Sequence, residues 1–85
     1  MSPVLTLYTR EGCLLCLEME HTLAQALAER PPPTSPVIRV DVDADPRLAA
    51  RFGARVPILY RGEEEICHYR LDETALARLW TGKAT

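Results

Sequence analysis

Apolar and polar positions along the chain alternate in some stretches and follow a helical period in others, and the switches between them predict the elements. Val4-Leu5-Thr6-Leu7-Tyr8 is apolar and β-prone and reads as a buried strand. Thr9 to Gly12 breaks it. From about Cys13 to Glu29 the pattern becomes helical, with Cys16, Met19, Leu23, Ala26 and Leu27 on one face and Glu18, Gln25 and Glu29 on much of the other. Pro31 to Pro33 stop that helix, since proline lacks the amide and restricts the residue before it. Val37 to Val42 is a second strand. The connection between the two strands needs a crossover, so they are expected to be parallel and right-handed. Asp45-Pro46 starts a short helix to about Arg51, and Gly53 suits its end. Val56 to Tyr60 and Glu65 to Tyr69 flank the Arg61-Gly62-Glu63 turn as a hairpin. Asp72 caps a last helix whose apolar face is Ala75, Leu76, Leu79 and Trp80, and Gly82 ends it. The order β-α-β-(α)-β-β-α predicts an α/β fold with a mixed four-stranded sheet and helices on its faces. Residues 1–85 form one domain.

Composition narrows the function classes. With 85 residues there is room for one small core. A net charge of −2 with no basic block excludes a nucleic-acid footprint. No apolar run approaches the roughly 20 residues that span a bilayer, and the N-terminus has no secretory pattern. The expectation is a cytoplasmic monomer, with no nucleic-acid or membrane partner. In that reducing setting a Cys-x-x-Cys is more often catalytic or metal-binding than architectural.

That motif is Glu11-Gly12-Cys13-Leu14-Leu15-Cys16. The thiolate is the nucleophile in disulfide exchange, and a free cysteine with a pKa of about 8.5 is little ionised at neutral pH. At a helix start, unpaired amides and the positive end of the dipole stabilise the anion. Cys13 is therefore the expected attacking sulfur. Cys16, one turn on and facing inward, is placed to resolve the mixed disulfide. Arg10 adds a positive charge near the thiolate.

Cys-x-x-Cys at the first helix, after a Tyr-Thr-Arg-x-Gly loop and with Val56-Pro57 downstream, resembles glutaredoxins. The likeness runs from Val4 to Trp80 and is nearest to small bacterial glutaredoxin-related proteins with a Leu-Asp-Glu start to the last helix, here Leu71-Asp72-Glu73. It implies a thioredoxin/glutaredoxin-like fold and a redox-active Cys13–Cys16 disulfide. It also implies a cis bond before Pro57, although only about 5–6% of X–Pro bonds in folded proteins are cis. Arg10, Val56 and Pro57 would line the substrate site. The implied activity is thiol–disulfide oxidoreduction on a protein or small-molecule disulfide, with no required cofactor and with glutathione or a thioredoxin reductase as electron source.

The chain departs from the family at three places. Leu14-Leu15 replaces the usual Pro-Tyr. Counted from Pro57, Cys67 and His68 stand where two glycines are usual. Asp72 lies one residue beyond the family's aspartate. These changes bear on glutathione dependence more than on thiol chemistry. Two other classes stay open. One is a metal or iron–sulfur module, with Cys67 and His68 or His21 completing four ligands. The other is a redox-inert domain that holds a partner in the groove near Pro57. Asp41-x-Asp43-x-Asp45 opens like a calcium loop, but Pro46 occupies its glycine position and Phe52 its glutamate, so calcium is rejected. Cys67 reads as a small apolar strand residue, and Arg47, Arg51 and Arg55 as a solvated face.

Overall fold

The alternation in Leu5–Thr9 (β1) is visible in its burial: Leu5, Leu7 and Thr9 are buried, while Thr6 and Tyr8 are half-exposed. A computed structural model describes residues 4–29 and 36–81. After β1 come Leu14–Ala28 (α1), Val37–Asp41 (β2), a single 3-10 turn at Val42–Ala44 and Pro46–Phe52 (α2). Ile58–Arg61 (β3), Glu64–His68 (β4) and Glu73–Thr81 (α3) complete the chain. The sheet order is β2-β1-β3-β4, with β1 and β2 parallel and the other pairs antiparallel. This is the α/β architecture the pattern predicts, a glutaredoxin-like thioredoxin fold. The expected stop at Pro31 to Pro33, the Gly82 terminus and the Trp80 side chain lie outside the described residues.

The pleat divides the core into two layers. Leu5, Leu7 and Leu59 pack with Met19, Leu23 and Leu76, so α1 and α3 cover one face. Val42, Phe52, Val56 and Ile58 form the second layer, joined by Cys16 from the first turn of α1. Tyr8 stacks on Phe52 at 4.3 Å between ring centroids, and Tyr60 meets both rings edge-on. Offset and edge-on aromatic pairs of this kind add to the energy of area burial.

The structure refines the sequence expectation at three points, each for a local reason. Val42 leaves β2 and enters the 3-10 turn, because Asp41 accepts the Asp43 N–H at 2.9 Å and bends the chain. Its side chain then turns fully into the second layer. Gly53 ends α2 with φ −57°, a right-handed conformation, so it is not there for backbone freedom. A Cβ at Gly53 would lie 2.6 Å from the Ala49 carbonyl oxygen and 3.0 Å from Arg10 Nη2. Finally, β4 ends at His68. Tyr60 pairs with Glu65 and Leu59 with Cys67, which leaves Ile66 as a bulge.

The bulge puts one more residue in β4 than its partner stretch of β3 pairs with. His68 is the last paired residue of β4, opposite Ile58, and Tyr69 and Arg70 follow the strand. Tyr69 has φ +67°, and the Arg70 N–H bonds the His68 carbonyl at 2.8 Å around it. This is a γ-turn of the strained kind, in a region that glycine occupies without cost.

Candidate redox site

Gly12, at φ +79°, turns the chain out of the β1 loop and delivers Cys13 to the start of α1. Cys13 is the N-cap, with φ −98° and ψ 108°. Its Sγ accepts the Cys16 N–H at 3.0 Å, in the way a serine or aspartate oxygen caps a helix. Cys13 and Cys16 form a disulfide with their Cα atoms 5.2 Å apart. Cys13 is half-buried, while Cys16 is only 2% exposed and faces the second core layer. The two sulfurs thus sit in unlike surroundings, one among helix-end amides and one among apolar side chains.

Cys13 packs against the cluster that holds Val56, which brings the segment just before β3 beside the cysteine pair. The Val56–Pro57 bond is cis. Among the described residues, neither the N–H nor the C=O of Val56 has a hydrogen-bond partner, although the residue is buried. Tyr69 braces this segment, with its N–H on the Pro57 carbonyl at 2.8 Å and its hydroxyl on the Ala54 carbonyl at 3.1 Å.

The Arg10 guanidinium is engaged by two partners from later in the chain. Its Nε and Nη2 donate to Asp43 at 3.0 and 2.7 Å, and its Nη1 donates to the Gly53 carbonyl at 3.0 Å. The hydrogen bond with Arg10 holds the Asp43 carboxyl below its ordinary range, and the same bond raises Arg10. The guanidinium therefore ties the Cys13 loop to the 3-10 turn and to the end of α2. Asp43 and Gly53 were not singled out as site residues from the sequence. A weak signal existed in the Asp41-x-Asp43-x-Asp45 repeat, whose members are now each assigned: Asp41 caps the turn, Asp43 holds Arg10 and Asp45 caps α2 through the Arg47 N–H at 2.8 Å.

Cys67 packs in the first core layer, against the same cluster as Leu59 and Leu76, not with Cys13 and Cys16. Burial pushes its thiol up, against the lowering effect of the Asp72 backbone N–H. The four-ligand alternative through Cys67 and His68 or His21 is not assembled: among the described residues, no three His, Cys, Asp or Glu side chains gather to hold a metal ion. His68 Nδ1 instead meets Glu65 Oε2 at 2.7 Å, and Glu65 Oε1 accepts from Arg55 at 2.8 Å.

Residues 4–79 match the family described as Glutaredoxin-like domain (DUF836). The chain belongs to this glutaredoxin-like family. Among solved structures, protein Ne2328 of Nitrosomonas europaea is similar, with 30% identity, a TM-score of 0.77 and coverage of 91% of this chain and 89% of that one. Protein XcR50 of X. campestris is 33% identical with a TM-score of 0.69, over 96% of this chain and all of that one. The uncharacterized protein Rv0508 of Mycobacterium tuberculosis is 30% identical over 79 residues, 87% of this chain and 78% of its own length. Together, the glutaredoxin-like domain and its Cys13–Cys16 pair support a redox-type role on a thioredoxin fold. No helix among the described residues is long and apolar enough to cross a membrane.

Proposed function

We propose that this glutaredoxin-like domain is a dithiol thiol–disulfide oxidoreductase of a reducing compartment such as the cytoplasm. The observation that carries the reading is the N-cap position of Cys13, with its sulfur on the Cys16 N–H and Cys16 buried one turn behind. In the reduced protein the Cys13 thiolate attacks one sulfur of a substrate disulfide. A Cys13–substrate disulfide forms, and the other substrate sulfur leaves as a thiolate that takes up a proton. Cys16, losing its proton, then attacks Cys13 Sγ. The Cys13–Cys16 disulfide closes and the second substrate thiol is released, so two electrons pass to the substrate. A thiol pair from a reductase, or two glutathione molecules, return them. The free N–H and C=O of Val56 are suited to pair with an extended substrate backbone, and Pro57 holds that segment open.

The test is reduction of a small uncharged disulfide, 2-hydroxyethyl disulfide, with dithiothreitol, glutathione or a thioredoxin reductase system as reductant. Turnover with at least one is expected. No turnover with any, together with a Cys13 thiol that titrates as a free one, would sink the proposal.

A further inference from the structure

Among the described residues, Tyr69 is the one non-glycine with a positive φ, at +67°. A side chain crowds its own backbone there, and glycine would take the same turn freely. Strain of this kind persists only where the surroundings hold it, and it gathers at sites where geometry matters. Three contacts hold Tyr69. Its N–H donates to the Pro57 carbonyl at 2.8 Å, and its hydroxyl donates to the Ala54 carbonyl at 3.1 Å. The His68 ring meets its ring edge-on, 4.7 Å between centroids. A glycine could keep the first of these contacts and neither of the others.

The two carbonyls bracket Val56, since Ala54 lies two residues before it and Pro57 one after. Other bonds fix the same stretch. The Gly53 carbonyl accepts from Arg10 Nη1, the Arg55 N–H donates to the Phe52 carbonyl at 2.9 Å, and Arg55 Nη2 donates to Glu65. Arg10 thus holds the start of the stretch, and Tyr69 holds its middle and end. Inside it, Val56 keeps its own N–H and C=O open. We infer that Tyr69 is a positioning residue for disulfide exchange: its hydroxyl, reaching Ala54 from the strained turn, holds the backbone groups of Val56 where the main chain of a substrate meets them. The inference rests on the dithiol reading. Its effect passes through the backbone of residues 54–57, so it bears on substrates that bring amide groups and far less on those that bring none.

Two substrates separate this role from a merely structural one. The first is a peptide disulfide made of two capped, alanine-flanked cysteine chains, which carries amides. The second is 2-hydroxyethyl disulfide, which carries none. Both are reduced at fixed dithiothreitol, with the uncatalysed rate subtracted. In Tyr69→Phe, kcat/KM on the peptide should fall about fivefold or more, mainly through KM, since each hydrogen bond to the substrate is worth roughly two- to tenfold. The fall on 2-hydroxyethyl disulfide should be at least about threefold smaller. Tyr69→Gly keeps the turn and the N–H on Pro57 but has no hydroxyl, and the same selective fall is expected. Equal falls on the two substrates in Tyr69→Phe, or no fall in either variant, overturn the inference. If the wild-type protein reduces neither substrate, the oxidoreductase reading fails, and the brace is then read from the amide of residue 69. Its hydrogen-exchange protection should drop at least about threefold in Tyr69→Phe, because the hydroxyl no longer ties the turn to Ala54. Unchanged protection overturns the brace whatever the turnover.

Discussion

The three cysteines of this small domain sit in three different surroundings. Cys13 meets the unpaired amides of a helix start, Cys16 an apolar layer, and Cys67 the opposite core layer with its thiol raised by burial. The division gives two expectations. Cys16→Ser traps a Cys13–substrate disulfide that intact-mass analysis detects, whereas Cys13→Ser traps none; equal trapping by both variants would contradict the assigned roles. In the reduced protein at pH 7, iodoacetamide modifies Cys13 well before Cys67, because the thiolate is the reacting form. Faster labelling at Cys67 by peptide mapping would contradict its burial. The placement of the two Cys-x-x-Cys sulfurs, Cys13 at the helix start and Cys16 buried one turn on, was legible in the sequence, since it follows from the helix period alone. The partners of Arg10 were not. A charge three residues before a cysteine reads as its counter-ion, and only the fold brings Asp43, 33 residues away, to its fork.

At the scale of elements, the Arg10 fork is a clamp joining the Cys13 loop, the 3-10 turn and the C-terminus of α2. Gly53 is where those parts come closest. In Gly53→Ala the new methyl group would meet the Ala49 carbonyl and Arg10, and overpacking of this kind costs roughly 1–3 kcal/mol. Urea unfolding should show that loss, and a variant as stable as the wild type would argue that the approach is relaxed. Acid tests the clamp by another route. The folded Asp43 carboxyl titrates below its unfolded value, so its contribution is complete above the ordinary carboxylate pKa and disappears as pH falls through the lowered one. Arg10, raised, keeps its charge throughout that window. Hydrogen-exchange protection at residues 10–13, taken relative to the intrinsic rate at each pH, should therefore fall in strong acid, and in Asp43→Asn already at neutral pH. Strand and helix types were readable here because β-branched runs, caps and periods are local. The bulge at Ile66 was not, because nothing in Glu64-Glu65-Ile66-Cys67 marks which residue goes unpaired; the β3 partner decides it. The strained turn at Tyr69, just after β4 ends at His68, was not legible either.

The two core layers lie on opposite faces of one sheet, and the Cys13–Cys16 pair packs with the second. The α1–α3 layer holds Leu7, Leu23, Leu59 and Leu76, whereas Cys16 packs with Val42, Phe52, Val56 and Ile58 in the other layer. Leu76 is buried against the first layer and anchors α3 there. Leu76→Ala should cost about 2–5 kcal/mol, a large part of the roughly 5–15 kcal/mol that a small domain has. Its melting temperature should fall by at least about 8 °C, while the Cys13–Cys16 potential of the folded protein stays put. Val56→Ala acts the other way. It removes methyl groups beside Cys16, lets water nearer a sulfur that is almost sealed, and so favours the more polar thiol form over the disulfide. The potential, measured by equilibration with defined thiol–disulfide buffers, should move toward a more oxidising value while stability falls less than in Leu76→Ala. If Leu76→Ala shifted the potential as much as Val56→Ala, the two layers would be coupled through the sheet, and the redox pair could not be treated as the property of one face.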